Sequence, residues 1–175
     1  NNDYNHTIGI EFSTTFTNVC DKLIKSQLWD TSGRKEYLPL IKSYYKGIVG
    51  VILMYSVDDP VSFKKIPFWL NEIKLNKKEH EEVTIFLVGN KKDKSRVISF
   101  NDGESMAKKH KLLFMEISAK NDENCSILIK KLCTHILSKY NPTVGHSGVR
   151  KPPHLDLTIK HYDKEENIYD CCCCC

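Results

Sequence analysis

The sequence of 175 residues lacks a long hydrophobic run, since its longest apolar stretch, Val49 to Tyr55 with Gly50 inside it, has the length of a strand. A membrane helix needs about 20 predominantly apolar residues. An excess of one charge is also missing: 26 Lys and Arg stand against 22 Asp and Glu, a net charge of +4. We therefore expect no nucleic-acid partner. A hydrophobic content of 41% fits one globular domain with a tail.

Paired cysteine spacing is missing as well. Of the 8 cysteines, Cys20, Cys125 and Cys133 are scattered, and the other five form the run Cys171 to Cys175. An odd scattered set argues against a disulfide framework and favours a reducing compartment. The first methionine is Met54, so we expect residue 1 to be an interior point of a longer protein.

The order of hydrophobic patterns predicts an α/β fold. Near-continuous apolar runs over 48–57 and 83–88 are typical of strands buried on both faces of a parallel sheet. The other predicted elements are a half-buried strand carrying Ile8, Ile10, Phe12, Thr14 and Phe16, strands over 23–29 and 112–117, and helices over 67–75, 99–110 and 124–140. Strands alternating with helices indicate a three-layer sheet flanked by helices.

The character of the chain changes after Tyr140. Residues 141–170 contain prolines and glycines with little periodicity, and four basic against five acidic residues give them a net charge of −1. This composition is typical of a flexible linker. The predicted organisation is a folded domain over 1–140, a linker over 141–170 and a cysteine tail over 171–175.

Asn90-Lys91-Lys92-Asp93 follows a predicted strand directly, where ligands bind in open α/β sheets. The Asp93 carboxylate could accept two hydrogen bonds from guanine N1–H and the 2-amino group, a pair that adenine does not offer. Asn90 could donate to a ring nitrogen and tie neighbouring loops together, while the stem of Lys91 could cover the ring. The alternative is a solvated Lys/Asp turn.

Ser118-Ala119-Lys120 follows the next predicted strand in the same way. A small residue there lets backbone N–H groups approach a purine O6, and Ser118 could brace Asp93. Alone, these three residues are more typical of an ordinary strand-to-helix turn.

Asp30-Thr31-Ser32-Gly33 follows the strand that ends at Trp29. A carboxylate at a strand end can hold hydrated Mg²⁺, and the Gly33 N–H can reach a terminal phosphate without interference from a Cβ. Thr7 could supply a hydroxyl ligand to the same ion. The alternatives are a plain Asp/Ser/Gly turn and an edge-strand threonine.

Taken in order, these motifs make the chain resemble a Ras-superfamily small GTPase, and within it the Rab family. The resemblance covers residues 4 to about 140. It is carried by Thr7-Ile8-Gly9-Ile10-Glu11-Phe12, Leu28-Trp29-Asp30-Thr31-Ser32-Gly33, Ser43-Tyr44-Tyr45-Lys46-Gly47, Asn90-Lys91-Lys92-Asp93 and Ser118-Ala119-Lys120. It implies a P-loop NTPase-like fold and a GTP-binding switch in vesicle trafficking.

The resemblance also implies roles for single residues. Thr7 would bind Mg²⁺ and sense the γ-phosphate, Asp30 would contact Mg²⁺ through water, and Gly33 would meet the γ-phosphate. Asn90, Lys91, Asp93, Ser118, Ala119 and Lys120 would form the guanine pocket, and Ile8, Gly9, Phe12, Trp29 and Tyr44 an effector surface. Composition alone would assign the three aromatic residues to the core. Implied partners of this expected monomer are effectors, an exchange factor, a GTPase-activating protein and a prenylation escort.

The sequence departs from the family pattern in lacking the phosphate loop G-x-x-x-x-G-K-[S/T], because no glycine precedes Gly9. Roughly 35–40 further residues would be needed for that loop, its strand and the following helix. Without that central strand we expect two open strand edges, poor folding and weak nucleotide binding. The alternative function is a nucleotide-free, prenylated domain that binds effectors as a decoy.

A second departure is Arg34, which stands where the family has the glutamine that orients the attacking water. A guanidinium has donors only and cannot accept a hydrogen bond from that water. We therefore expect slow GTP hydrolysis. The alternative is that Arg34 stabilises charge in the transition state.

The terminal cysteines allow three interpretations: a thiol cluster that binds soft metals or oxidises, non-specific crosslinking, and lipid attachment. The resemblance implies the third, with geranylgeranyl groups on Cys174 and Cys175. The linker has no polybasic segment to substitute for lipid. We then expect the protein on the cytoplasmic face of an intracellular membrane, with a cytosolic pool.

Overall fold

The computed structural model describes residues 7–78, 82–140 and 169–174 of the chain; of Tyr140 and residues 169–174 the backbone alone is considered. The strands are β1 (Ile10–Val19), β2 (Lys22–Thr31), β3 (Gly50–Ser56), β4 (Thr84–Asn90), β5 (Leu113–Glu116) and β6 (Tyr169–Cys174). The helices are α1 (Leu38–Tyr44), α2 (Pro60–Lys64), α3 (Ile66–Asn76), α4 (Phe100–His110) and α5 (Cys125–Tyr140), with a 3-10 turn over Lys35–Tyr37.

The strands form one sheet in the order β1-β2-β6-β3-β4-β5. β1 and β2 make an antiparallel hairpin in which Phe12 lies opposite Trp29, and the other neighbouring pairs are parallel. Strands β2 to β6 therefore all end at the same edge of the sheet. This arrangement confirms the predicted α/β class.

Two hydrophobic clusters cover the two faces of the sheet. One contains Leu70 and Ile73 of α3 together with Leu53 of β3. The other contains Leu132 of α5 together with Ile52 of β3. The result is the predicted three-layer order of helix, sheet and helix. Among the described helices, none combines the length and apolar character needed to cross a membrane.

Helix starts follow local sequence signals. The Ser99 hydroxyl accepts a hydrogen bond from the Asp102 N–H at 3.1 Å, and the Asp102 carboxylate accepts one from the Ser99 N–H at 3.2 Å. This reciprocal pair is a capping box, and it fixes the predicted start of α4. The short helix α2, which the sequence did not predict, starts in a related way: the Asp59 carboxylate accepts from the Val61 N–H at 2.8 Å.

The prediction that β1 is half-buried through its apolar face is wrong. Phe12 is 51% exposed, Phe16 is 56% exposed, and Ile8 lies outside the strand at 81% exposure. The strand is instead half-buried through its opposite face, where Thr15 and Thr17 are half-buried and Val19, 1% exposed, belongs to the cluster that contains Leu132 of α5. No described helix covers the face that carries Phe12 and Phe16 completely. Alternation of apolar and polar residues shows which side chains share a face of a strand, but it does not show whether another element packs on that face.

The expectation of two open edges and an unstructured cysteine end also differs from the structure. Tyr169–Cys174 forms β6, which lies between β2 and β3. Tyr169 and Asp170, assigned to the linker by composition, belong to this strand. Unpaired N–H and C=O groups on two facing strand edges favour any extended segment that can pair with them. The rest of the predicted linker, 141–168, and Cys175 lie outside the described residues.

Candidate functional site

The candidate site lies at the edge of the sheet where the parallel strands end. Three loops meet there: 30–33 after β2, 90–93 after β4 and 118–120 after β5. Carboxyl ends of parallel strands are where open α/β sheets bind ligands, because the loops diverge there and leave a crevice. The sequence predicted this position, with one small difference: β4 continues through Gly89 to Asn90, whereas the predicted strand ended at Val88.

A cavity of about 670 Å³ opens between these loops and the segment that leads from β3 to α3. Six of the predicted site residues line it: Thr7, Asp30, Gly33, Arg34, Asn90 and Lys91. The other four, Asp93, Ser118, Ala119 and Lys120, form a second group beside it. The predicted residues are thus divided between the cavity and a neighbouring pair of loops, on which Asp93, Ala119 and Lys120 are exposed and Ser118 is buried.

Thr7 and Asp30 lie in contact on the cavity wall. The Thr7 Oγ1 donates a hydrogen bond to Asp30 Oδ2 at 3.0 Å. Hydroxyl and carboxylate oxygens are the hard donors that Mg²⁺ prefers, and Mg²⁺ is typically held by one or two such side chains together with phosphates and water. The two residues therefore fit a magnesium ion in chemical type and in mutual distance.

Gly33 and Arg34 follow on the same loop. A Cβ built on Gly33 meets nothing within 4 Å, so packing in this structure does not demand glycine there. The Arg34 N–H donates to the Ser32 hydroxyl at 3.4 Å. Ser32 is buried, and this contact fixes the backbone of Arg34 while its exposed side chain borders the cavity.

Asp93 is held by the serine that the sequence predicted as its brace. The Ser118 hydroxyl donates to Asp93 Oδ1 at 2.5 Å and accepts from the Asn121 N–H at 3.2 Å. The hydrogen bond from Ser118 keeps the pKa of Asp93 below its usual value. The Asp93 side chain is therefore held in place by Ser118 in its ionised form, the form that accepts N–H donors.

Asn90 joins loops 90–93 and 118–120. Its Oδ1 accepts hydrogen bonds from the Lys91 N–H at 2.7 Å and from the Ala119 N–H at 3.1 Å. Lys91 has a left-handed backbone with a φ of 63°, which turns the chain out of the strand. The predicted linking of loops by Asn90 is therefore present. Lys120 is exposed, and Lys92 pairs with Glu123.

Comparison with known proteins identifies the family of the chain. A model of the Ras family matches residues 1–138. The chain is 34% identical to Ras-related protein Rab-11B of Dictyostelium discoideum, over 95% of this chain and 81% of that protein. It is 38% identical to Ras-related protein RABA1c of Arabidopsis thaliana, over 76% of this chain and 63% of that protein. It is 37% identical to Ras-related protein SEC4 of Saccharomyces cerevisiae, over 79% of this chain and 65% of that protein.

The chain belongs to the Ras family, in its Rab branch. The resemblance found in the motifs is thereby confirmed. Members of the Rab branch bind GTP or GDP together with Mg²⁺, which agrees in kind with the oxygen donors of Thr7 and Asp30.

The three aromatic residues of the Rab pattern pack on one another. The rings of Phe12 and Trp29 have centroids 4.8 Å apart, and those of Trp29 and Tyr44 lie 5.1 Å apart. Phe12 is exposed, whereas Trp29 and Tyr44 are half-buried. The alternative of three core residues therefore does not describe them, because the row runs from the edge of the core to solvent.

The structure adds residues to the site that sequence patterns missed. Ser56, Asp59, Ser62 and Lys65 line the far wall of the cavity. Beside them, Asp58 accepts a hydrogen bond from Ser56 and pairs with Lys94 at 2.9 Å, and these two contacts lower its pKa to about 2. The Asp59-Pro60 helix start was the available signal, since capping residues mark where a helix points its first N–H groups.

Proposed function

We propose that the chain is a guanine-nucleotide switch of the Rab type that acts in vesicle trafficking. The observation that carries the proposal is the Ser118–Asp93 contact of 2.5 Å, which fixes a carboxylate at the edge of the sheet where the parallel strands end. A fixed carboxylate discriminates between purines because guanine presents N1–H and a 2-amino group side by side and adenine does not.

The other site residues take the roles that their positions allow. Asn90 holds the loop of Lys91 against the loop of Ala119, which would make the base pocket rigid. Thr7 and Asp30 would hold Mg²⁺, which supplies positive charge to the phosphates when it is bound. Gly33 would offer its N–H to the terminal phosphate, and Lys120 would complete the base pocket.

Titration with nucleotides tests the proposal on the chain as it stands. We expect fluorescent GDP to bind at least 10-fold more tightly than the matching ADP derivative, because two charge-assisted hydrogen bonds to Asp93 are lost with adenine. We expect weak binding of both, since the sequence supplies no phosphate loop. Equal affinity for the two nucleotides, or binding of neither, would contradict the proposal.

Arg34 is expected to make GTP hydrolysis slow. In a single-turnover assay with protein in excess, we expect Arg34→Gln to raise the rate about 10- to 100-fold, because an amide oxygen can accept a hydrogen bond from the attacking water. The matched control is Arg34→Lys, which keeps a cation without an acceptor and should leave the rate low. A rate for Arg34→Gln no higher than that of Arg34→Lys would show that water is not oriented here.

The second candidate function is a nucleotide-free domain that binds effectors as a decoy. The observation in its favour is the row of aromatic side chains Phe12, Trp29 and Tyr44, which reaches the surface without any nucleotide contact. The titration separates the two candidates, since the decoy binds neither GDP nor ADP. Under both candidates, the proposed effector surface is Ile8, Gly9, Phe12, Trp29 and Tyr44.

We also propose that the protein attaches to the cytoplasmic face of an intracellular membrane and keeps a cytosolic pool. Cys174 and Cys175 are the proposed lipidation sites, since two lipid chains give stable anchoring where one does not. The proposed protein partners are effectors, an exchange factor, a GTPase-activating protein and a prenylation escort. The proposed oligomeric state is a monomer.

A further inference from the structure

The loop that carries Asp93 is bonded to the end of β3 at both of its own ends. We call residues 91–97, between β4 and the start of α4, the base loop. Val57, the residue after β3, donates its N–H to the Asn90 carbonyl at 3.0 Å, and the Val57 carbonyl accepts from the Val97 N–H at 2.8 Å. The two ends of the base loop are therefore fixed by backbone hydrogen bonds, and its middle depends on side chains.

Two ion pairs attach the side chains of the base loop to β5 and to the loop that follows β5. Lys92 pairs with Glu123. The Arg96 guanidinium donates two hydrogen bonds to the carboxylate of buried Glu116, the last residue of β5, at 3.0 and 2.8 Å. These two pairs hold the base loop from one side, because β5 lies on one side of β4 in the sheet.

A third ion pair attaches the base loop to the segment between β3 and α2, on the other side of β4. Lys94, the residue after Asp93, has its Nζ 2.9 Å from Asp58 Oδ2. Asp58 also accepts a hydrogen bond from the Ser56 hydroxyl at the end of β3. Among the described side chains, this is the one ion pair between the base loop and that segment. The Asp58 carboxylate therefore joins the end of β3 to the residue next to Asp93.

Asp58 and Lys94 stabilise each other in their charged forms. The hydrogen bonds from Ser56 and Lys94 lower the pKa of Asp58 to about 2, and the hydrogen bond to Asp58 raises the pKa of Lys94. The pair is therefore fully charged at neutral pH. The side chains of Lys94 and Asp58 are 52% and 24% exposed, so water screens their attraction and the pair contributes little to the stability of the whole chain.

We propose that Asp58 is a positioning residue for the base site: by holding Lys94, it sets where the neighbouring Asp93 carboxylate lies relative to the bound base. The inference rests on the proposed function, in which Asp93 reads guanine. Ser118 holds the Asp93 side chain from the β5 side, and the Lys94–Asp58 pair holds the adjacent residue from the β3 side. Support from both sides matters because hydrogen bonds weaken steeply with angle, and this carboxylate must meet two donors at once.

The variant Asp58→Asn tests the proposal, since it removes the charge and keeps the size of the side chain. We expect the ratio of GDP affinity to ADP affinity to fall about 3- to 5-fold, within the range of an exposed ion pair, because a displaced Asp93 loses contacts that only guanine makes. Lys94→Gln should have the same effect, and the double variant should be no worse than either single one. A loss of stability alone would lower both affinities and leave their ratio unchanged.

The Lys108–Glu104 pair on α4 provides the matched control. Its Nζ–Oε2 distance is 2.8 Å, and both side chains are exposed. Glu104→Gln therefore removes one charge from an ion pair of the same kind outside the base loop, and it should leave the affinity ratio unchanged. If Asp58→Asn also leaves the ratio unchanged, or if Glu104→Gln lowers it as much, the Lys94–Asp58 pair does not position Asp93.

Amide hydrogen exchange without nucleotide separates a failure of this inference from a failure of the proposed function. The Lys94 N–H donates to the Lys91 carbonyl at 2.9 Å, and we expect Asp58→Asn to make its exchange at least about 3-fold faster. The Lys92 N–H, which donates to the Ile117 carbonyl at 3.1 Å, should exchange at an unchanged rate. If the unaltered chain does not prefer GDP, the proposed function fails, while faster exchange at Lys94 still supports the hold of Asp58 on the base loop. Unchanged exchange at Lys94 overturns the inference whatever the nucleotide result.

Discussion

Replacing Asp93 by asparagine is expected to lower the affinity for GDP about 100-fold and to leave xanthosine diphosphate as the preferred ligand. In the proposed function the carboxylate would accept from both N1–H and the 2-amino group of guanine, whereas an amide offers one acceptor and one donor. The 2-amino group of guanine would then face the amide NH2 group, which is also a donor. Xanthine has an oxygen in place of the 2-amino group, and this oxygen can accept from the amide NH2 group. Hydrogen bonds to a charged group contribute about 1.5–3 kcal/mol each, which sets the size of the effect.

The measurement is a competition titration with GDP, xanthosine diphosphate and ADP. Asp122→Asn is the matched control. It makes the same chemical change two residues after Lys120, at a position outside the predicted base pocket. It should leave the order of affinities as in the unaltered chain. If Asp93→Asn also kept the preference for GDP over xanthosine diphosphate, Asp93 would not be the group that reads the base.

Replacing Gly103 by alanine is expected to reduce the free energy of unfolding by about 2 kcal/mol. A Cβ at this position of α4 would overlap the Tyr55 hydroxyl and lie 2.6 Å from Phe114 Cζ. Tyr55 is 2% exposed and cannot move aside without disturbing the core. Overpacking of this kind typically destabilises by about 1–3 kcal/mol, and the better helix propensity of alanine offsets part of that.

Denaturation in urea, with Tyr55→Phe as the partner variant, shows whether the overlap is the cause. Among the described side chains, no hydrogen-bond partner is found for the buried Tyr55 hydroxyl, and burial raises the pKa of Tyr55 to about 12. Removing that hydroxyl should therefore be nearly neutral alone and should restore about half of the stability lost in Gly103→Ala.

Gly33→Ala gives the matched control for this pair, because a Cβ at Gly33 meets no atom within 4 Å. Its unfolding free energy, measured without nucleotide, should change by less than about 0.5 kcal/mol. If Gly103→Ala were as stable as the parent chain, or if Tyr55→Phe failed to rescue it, the close approach of Gly103 to Tyr55 would not be what limits the residue at this position.

The sequence predicted those elements whose signal is local. Strands buried on both faces give continuous apolar runs, so the observed β3 (Gly50–Ser56) and β4 (Thr84–Asn90) fall inside or close to the predicted ranges. Helix α4 was predicted from its Ser99 cap, and α3 from Pro67 in its first turn. The Asp93–Ser118 pair was predictable because both residues follow parallel strands, whose ends must meet.

The remaining features depend on contacts that no local pattern contains. The five residues of α2 are too few to show a helical period, and α1 contains Pro39 near its start with one buried side chain, Ile41. The position of β6 is set by the unpaired edges of β2 and β3, which lie more than 100 residues before it. Ser62 and Lys65 resemble any exposed polar residues until the fold places them on the cavity wall.

The oxygen that Asn90 shares between two backbone N–H groups has a consequence for how a bound base departs. Neither loop can swing outward alone without leaving one N–H without its acceptor, so the two loops gain by moving as one body. Opening of the base pocket would then involve both loops at once, so Asn90 would influence how fast a bound base leaves without contacting the base through its Oδ1.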